Sequence, residues 1–193
     1  MASGHPELWL IRHGETEWTL NRRHTGNTDI PLTEHGREQA SELRRLLDGT
    51  DFDLLLTSPR RRAADTAELA GFEPKPDPRL AEWDYGDYEG KTTAEIHRER
   101  PGWEIWQDGC PGGESPEQIK ARLEPLVGEL RATAGGRIAL FGHGHGLRAL
   151  AAIWLGLELE AGRALLLDPG SLSILGDDRG IAVVELWNRQ LHR

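Results

Sequence analysis

Two histidines and several arginines stand directly after apolar runs, at the places where strands would end. Leu8-Trp9-Leu10-Ile11 empties into Arg12-His13-Gly14, and the run from Arg137 to Phe141 ends in Gly142-His143-Gly144-His145-Gly146. A third run, Asp53 to Thr57, is followed by Ser58-Pro59 and then Arg60-Arg61-Arg62. In open parallel sheets such ends share one edge, and ligands bind there. Two histidines and at least two arginines around one small volume suit a phosphoryl group. Arginine offers phosphate oxygens a rigid fork of donors. Histidine can be the nucleophile, the acid or a charged donor. Gly14 and Gly144 would let backbone approach the anion closely. A helix starting at Pro59 would add the positive end of its dipole. Each piece alone is weak. The three arginines also read as a solvated helix face, and only Arg62 borders the Ala63/Ala67/Ala70 stripe. Gly-His-Gly-His-Gly lacks the G-x-G-x-x-G spacing of a nucleotide loop. His143 and His145 lie two apart after a strand with no carboxylate beside them, which is not a metal-ligand pattern.

The elements around these residues can be read from period and punctuation. Thr33 opens a helix to about Asp48, with Ala40, Leu43, Leu46 and Leu47 on one stripe and Gly49 as its stop. Ser58-Pro59 has the chemistry of a helix cap and first turn, and that helix ends at Gly71. Glu73 to Pro78 is extended, and Leu80 to Gly90 is a polar, glycine-punctuated loop. Thr93 to Arg100 is a short helix. Ser115-Pro116-Glu117-Gln118 is a capping box that opens a helix to about Thr133, with a kink at Pro125. Leu147 to Leu155 is an apolar helix. Leu172 to Leu175 and Ile181 to Trp187 are strands around an Asp177-Asp178-Arg179-Gly180 turn. Strands alternating with helices predict an α/β fold, a three-layer sandwich with a mainly parallel central sheet.

The chain has 193 residues, within the range of a single domain, 1–193. Its net charge of −9 argues against a nucleic-acid or anionic-membrane binder, since both need a basic surface. The single cysteine, Cys110, can form neither an internal disulfide nor a cysteine zinc site. Met1 to Glu7 lacks the pattern of a signal peptide, and no apolar run approaches the roughly 20 residues of a membrane span. The expected location is the cytoplasm.

The stretch RHGETEWTLNRRHTGNTDIPLTEHGREQA (Arg12 to Ala40) resembles the opening of the histidine phosphatase superfamily, the phosphoglycerate mutase-like proteins. TSPRRRAADTA (Thr57 to Ala67), LAEWDYGDYEG (Leu80 to Gly90) and FGHGHGLRA (Phe141 to Ala149) follow in the family's order. The resemblance implies an α/β sandwich that needs neither metal nor organic cofactor. It implies His13 as a nucleophile that carries the phosphoryl group. Arg12, Arg62, His143 and Gly144 would bind that group, with His143 protonated. Glu82 would be the general acid and base; without the family pattern it could not be told from Asp84, Asp87 or Glu89. Thr25 and Gly26 match a loop segment that approaches the substrate. Thr19 stands where many members have asparagine, six residues after the nucleophile. Threonine is shorter, so at this position the phosphate is either untouched or reached through a water, and Asn21 points elsewhere.

The local patterns are most similar to a branch of acid phosphatases and sugar-bisphosphate phosphatases. Two helices account for much of the interval between Glu82 and His143, which leaves no room for the cap of the family's cofactor-dependent mutases. The expected function is therefore hydrolysis of small phosphorylated metabolites, sugar phosphates among them. The alternatives are a phosphoglycerate mutase-type phosphotransferase and a catalytically weak phosphate-binding regulatory module. Trp18, Trp83 and Tyr85 fall in rim loops where they could face substrate. Trp103 and Trp106, three apart, read as core, as do Trp9, Trp154 and Trp187.

Overall fold

The computed structural model describes residues 5–133 and 135–191. The first four residues of the segment scanned for a signal peptide lie outside them. Six strands form one sheet in the order β3-β2-β4-β1-β5-β6. They are β1 (Glu7–Arg12), β2 (Leu54–Thr57), β3 (Lys75–Pro76), β4 (Arg137–Gly142), β5 (Leu172–Asp178) and β6 (Ile181–Arg189). The strands β3, β2, β4 and β1 run parallel, whereas β5 and β6 are antiparallel additions beside β1. Arg179 and Gly180 both take positive φ at the β5–β6 turn, as the twist of a tight hairpin requires.

Alternation along β1 sends its side chains to two cores. Leu8 and Leu10 pack with Ile138, Leu140, Trp83 and Trp154 on one face, and Ile11 packs with Ala139, Phe141, Leu43 and Ala67 on the other. The helices are α1 (Glu17–Leu20), α2 (Glu34–Leu47), α3 (Arg61–Leu69), α4 (Thr93–Glu99), α5 (Ile105–Asp108), α6 (Pro116–Arg131) and α7 (Gly144–Trp154). Helices α2 and α3 cover the second face, and α6 and α7 cover the first, so the sandwich has three layers. Thr33 and Ser115 cap α2 and α6 through their side chains, as expected, and α6 continues through Pro125 as one element. Cys110 is buried in the first core, and burial raises its thiol pKa to about 12. No helix among the described residues is long and apolar enough to cross a membrane.

Four expectations shift. Helix α3 is capped by Arg60 rather than Ser58, because the Ser58 hydroxyl is engaged elsewhere. Helix α7 starts at Gly144, three residues early, with His143 as its cap. Trp83 is fully buried rather than on the rim, its indole N–H donating to the Glu114 carbonyl at 2.9 Å. Trp103, Trp106 and Trp154 are core, whereas Trp9 and Trp187 are only partly buried at its margins.

Candidate active site

Strand register brings the chemistry together. Arg12 pairs with Gly142 across β1 and β4, and the His13 amide donates to the Gly142 carbonyl at 3.0 Å. Both chains leave the sheet at the same level, so the rings of His13 and His143 stand 5.1 Å apart, edge to face. The Ser58 amide reaches the Phe141 carbonyl at 2.9 Å, which places the end of β2 beside them.

The His13 Nδ1–H donates to the carbonyl of Gly14 at 2.7 Å. That bond fixes the tautomer and leaves the lone pair on Nε2. Burial, then the charges of Arg62 and Arg12, push this imidazole well below its ordinary range, so it stays neutral. The ring therefore presents an unprotonated Nε2 in a positive field. Gly14 serves a different approach from the one expected: any Cβ there would strike the backbone of Gly36 in the first turn of α2.

Arg12 donates through Nη1 to the carbonyl of Leu167, and its buried Nε has no partner. An unsatisfied buried donor is costly and marks a place for an acceptor. The guanidinium lies against Gly144, where a Cβ would come within 3.2 Å of Cζ. Arg62 is wholly buried and already busy. Its Nη2 donates to the carbonyls of Thr25 (2.9 Å) and Gly26 (3.1 Å), and its Nη1 to Thr28 (3.0 Å). Its Nε donates to Nδ1 of His143 at 3.2 Å. The other ring nitrogen of His143 bonds the Ser58 hydroxyl at 2.6 Å. His143 accepts from an arginine, and burial followed by Arg62 lowers its pKa well below the ordinary value. It is thus neutral in the free protein, not protonated as the sequence suggested.

The four candidate carboxylates separate cleanly. Glu82 is 8% exposed and lines a cavity of about 300 Å³ together with Arg12, His13, Thr25, Tyr85 and Gly144. One oxygen accepts from the amides of Trp83 (2.9 Å) and Gly146 (2.6 Å), the other from His145 (3.0 Å). The carboxyl group thus sits on the N-terminus of α7. Asp84 accepts from the Gly86 amide, and Asp87 lies beside Gly112. Glu89 takes the amides of Gly26 and Thr28, each at 3.0 Å. The loop from Thr25 to Thr28 is therefore gripped twice, by Glu89 through its N–H groups and by Arg62 through its carbonyls.

Thr19 lines the cavity, but its hydroxyl donates to the Thr16 carbonyl at 2.9 Å and accepts from the Thr16 amide at 2.8 Å. It closes a capping box on α1 rather than presenting a free hydroxyl to phosphate. Asn21 points away and bonds Glu17. Trp83, Gly26, Arg62 and His143 are not among the residues that line the cavity, whereas Arg22, Arg23, His24, His145, Arg148, Asp168 and Pro169 are. The sequence singled out none of these seven as substrate contacts. Arg22-Arg23-His24 precede Thr25 directly, and Arg148 lies one helical turn past Gly144. The second spacing is readable once α7 is known to begin at Gly144. Tyr85 bonds Nδ1 of His145 at 2.7 Å, and burial raises its phenol far above the ordinary range.

Four histidines, two buried (His13 and His143) and two half-buried (His24 and His145), give the site a signature in pH. His13, His143 and His145 have pKa values well below 6.5, and His24 lies at about 4, all by burial first. The unfolded chain takes up these protons below about pH 6.5 and the folded chain does not. Protons then favour unfolding, so stability is full above that pH and falls as pH drops through it. The thermal midpoint should be level from about pH 8 to 7 and fall from about pH 6.5 to 5.5, with about 1 kcal/mol lost per deeply buried histidine. A midpoint unchanged down to pH 5.5 would show that these rings titrate normally.

An unprotonated imidazole nitrogen in the field of Arg12 and Arg62, with the carboxyl group of Glu82 lining the same small cavity, is an arrangement suited to phosphoryl transfer. Residues 8–190 match the family model of the histidine phosphatase superfamily, branch 1, and the chain belongs to that family. It is 42% identical over 178 residues to an acid phosphatase of Mycobacterium tuberculosis, covering 90% of this chain and 88% of that one. It is 37% identical over 194 residues to a sedoheptulose 1,7-bisphosphatase of Saccharomyces cerevisiae (83% and 71% covered). A probable phosphoglycerate mutase of Cronobacter sakazakii is 34% identical over 178 residues (86% and 83% covered). The solved structure of an open reading frame from Mycobacterium tuberculosis superposes with a TM-score of 0.93 at 38% identity, covering 97% and 99% of the two chains. The chain is accordingly a histidine-type phosphatase.

Proposed function

We propose that the protein hydrolyses phosphomonoesters of small metabolites, sugar phosphates among them, in two displacements at His13. The observation that carries this is the Nδ1–H bond to Gly14, which aims the chemistry at a neutral Nε2 beside an unsatisfied donor of Arg12. In the first step Nε2 forms a bond to phosphorus and the ester P–O bond breaks. Glu82, as the acid, protonates the departing alkoxide. In the second step Glu82, now a carboxylate, takes a proton from water, the resulting oxygen attacks phosphorus and the P–N bond breaks. Arg12 and the remaining Nη1–H of Arg62 balance charge on the equatorial oxygens, where positioning and electrostatics do most of the work. His143 orients Arg62 by accepting its Nε–H at Nδ1, while its other ring nitrogen is held at the Ser58 hydroxyl.

This reading takes residues 1–193 as one domain acting in the cytoplasm on a soluble substrate, with no nucleic acid or membrane as partner. Water as the acceptor separates it from a mutase. Turnover in water enriched in oxygen-18 should place one heavy oxygen in each phosphate released. Transfer of the phosphoryl group to an added phosphoglycerate without release would overturn it.

Among the described residues no group of three or more His, Cys, Asp or Glu could hold a metal ion. The two arginines supply the positive charge that a metal would bring. Activity should survive exhaustive dialysis against EDTA. Loss of activity that one divalent ion restores would refute the cofactor-free scheme.

A further inference from the structure

A second cavity, of about 450 Å³, adjoins the one beside His13. His24, His145 and Arg148 line both, so the two meet at these side chains. Beyond them the second cavity is walled by Thr93 and His97 of α4, Trp106 of α5, and Trp103 in the turn between. None of these four takes part in the chemistry described above.

The walls are chiefly rings. His24 stands edge to face with Trp103, centres 5.5 Å apart, and His145 with Trp106 at 5.6 Å. Bonds within the protein hold them in place. The indole N–H of Trp103 donates to the Gly109 carbonyl at 2.8 Å, and the Trp103 carbonyl bonds Nε2 of His97 at 2.8 Å. Nδ1 of His145 bonds the Tyr85 hydroxyl at 2.7 Å. Arg148 is a flat wall rather than a mobile cation. The carbonyls of Gly162 and Arg163 hold its Nε and Nη2, both at 2.8 Å, and it lies over the Trp106 ring, 5.0 Å from the centre. The other two charged side chains of the lining, Glu104 and Arg163, pair with each other at 3.5 Å, and Arg163 also pairs with Glu160 at 3.0 Å. What the lining offers a ligand is ring surface beside a fixed guanidinium, and both attract an uncharged aromatic ring. A concavity of this size with few, fixed polar groups is the usual form of a small-molecule subsite.

We propose that this second cavity binds an uncharged aromatic ring carried by the alcohol portion of the substrate, a few carbons from the ester oxygen, so that it reaches past His24 and His145 while the phosphoryl group lies at His13. This rests on the phosphatase reading and adds a leaving-group class to it, phosphate esters of aryl-alkyl alcohols.

The test compares kcat/KM for phenylalkyl phosphates with linkers of about one to five carbons, for n-alkyl phosphates of equal carbon number and for ethyl phosphate. The linker keeps every leaving group an alkyl alkoxide, so basicity hardly changes along the series. At least one phenylalkyl ester should exceed ethyl phosphate about tenfold or more, and its n-alkyl counterpart about threefold or more, chiefly through KM. Added salt should leave both ratios as they are, since no second ion pair forms. Thr93→Trp and His97→Trp, at exposed positions of α4 outside the cavity beside His13, put bulk into the second cavity and should cut the tenfold ratio below about threefold. The ratio is read within each variant, so a general loss of activity does not imitate the effect. Nuclear magnetic resonance titration of the His13→Ala protein locates the ring: the amide signals of Thr93 and His97 should move with the best phenylalkyl phosphate and stay in place with ethyl phosphate. No gain at any linker length, an equal gain in the n-alkyl series, or a gain unaltered in both tryptophan variants overturns the ring site. If the wild-type protein hydrolyses none of the esters, the phosphatase reading fails instead, and the titration decides the ring site by itself.

Discussion

The His13→Ala protein is expected to fold normally and to turn over phosphomonoesters about four orders of magnitude more slowly than wild type, or worse. Removal of a covalent nucleophile leaves only binding and charge stabilisation, and losses of that size are usual. The fold should survive because the His13 side chain makes one hydrogen bond, to the adjacent Gly14 carbonyl. The bonds that join β1 to β4 are made by backbone and remain. Circular dichroism and a thermal melt check the fold, and single-turnover quench checks the chemistry. Wild-type protein quenched in base during turnover should hold a base-stable, acid-labile phosphoryl adduct that maps to His13. Full activity in the variant, or an adduct on another residue, would refute the assignment.

Glu82→Gln is expected to split substrates by their leaving groups. An alkyl or sugar alkoxide is a strong base and needs a proton as it departs, whereas an aryl oxide hardly does. With phosphorylation of His13 isolated by single-turnover kinetics, sugar-phosphate cleavage should slow by about 10²–10⁴-fold and aryl-phosphate cleavage by less than about tenfold. The amide also perturbs the local bonds. Both carboxyl oxygens of Glu82 accept backbone N–H groups, and glutamine can keep only one oxygen there. A stability loss of about 1–3 kcal/mol should accompany the change and is measured separately by denaturant titration. Equal kinetic losses on both substrates would show that Glu82 is not the donor. Asp84, the nearer of the remaining carboxyl groups in sequence, would then be tested in the same way.

The sheet edge was legible because each chemical residue follows an unbroken apolar run, and a buried parallel strand has few other ways to look. The register was not legible. Nothing in the runs themselves says that Arg12 lies opposite Gly142, and that pairing is what puts the two imidazoles side by side. The start of α3 misled because Ser58-Pro59 has the right residues for a cap. The Ser58 hydroxyl bonds His143 instead, a contact 85 residues away in sequence. The start of α7 was hidden because Gly144 and Gly146 read as turn residues, although one lies against Arg12 and the other donates its amide to Glu82. The short helices α1 and α5 have four residues each and show no period to detect. Trp83 looked like a rim aromatic because its neighbours are acidic; the loop folds its indole inward against Trp106 and the Glu114 carbonyl. Roles beyond position came from the family pattern. Residue types alone did not separate Glu82 from three similar carboxylates.

The double grip on the loop from Thr25 to Thr28 links two things that are usually measured apart. The amide hydrogens of Gly26 and Thr28 are shielded by Glu89, and the carbonyls of Thr25, Gly26 and Thr28 are held by Arg62. Neither amide can meet solvent deuterium without the loop rising, and a risen loop leaves the arginine unmoored next to His143. Exchange at those two positions therefore reads out, in the resting protein and with no substrate present, how often the phosphoryl pocket comes apart.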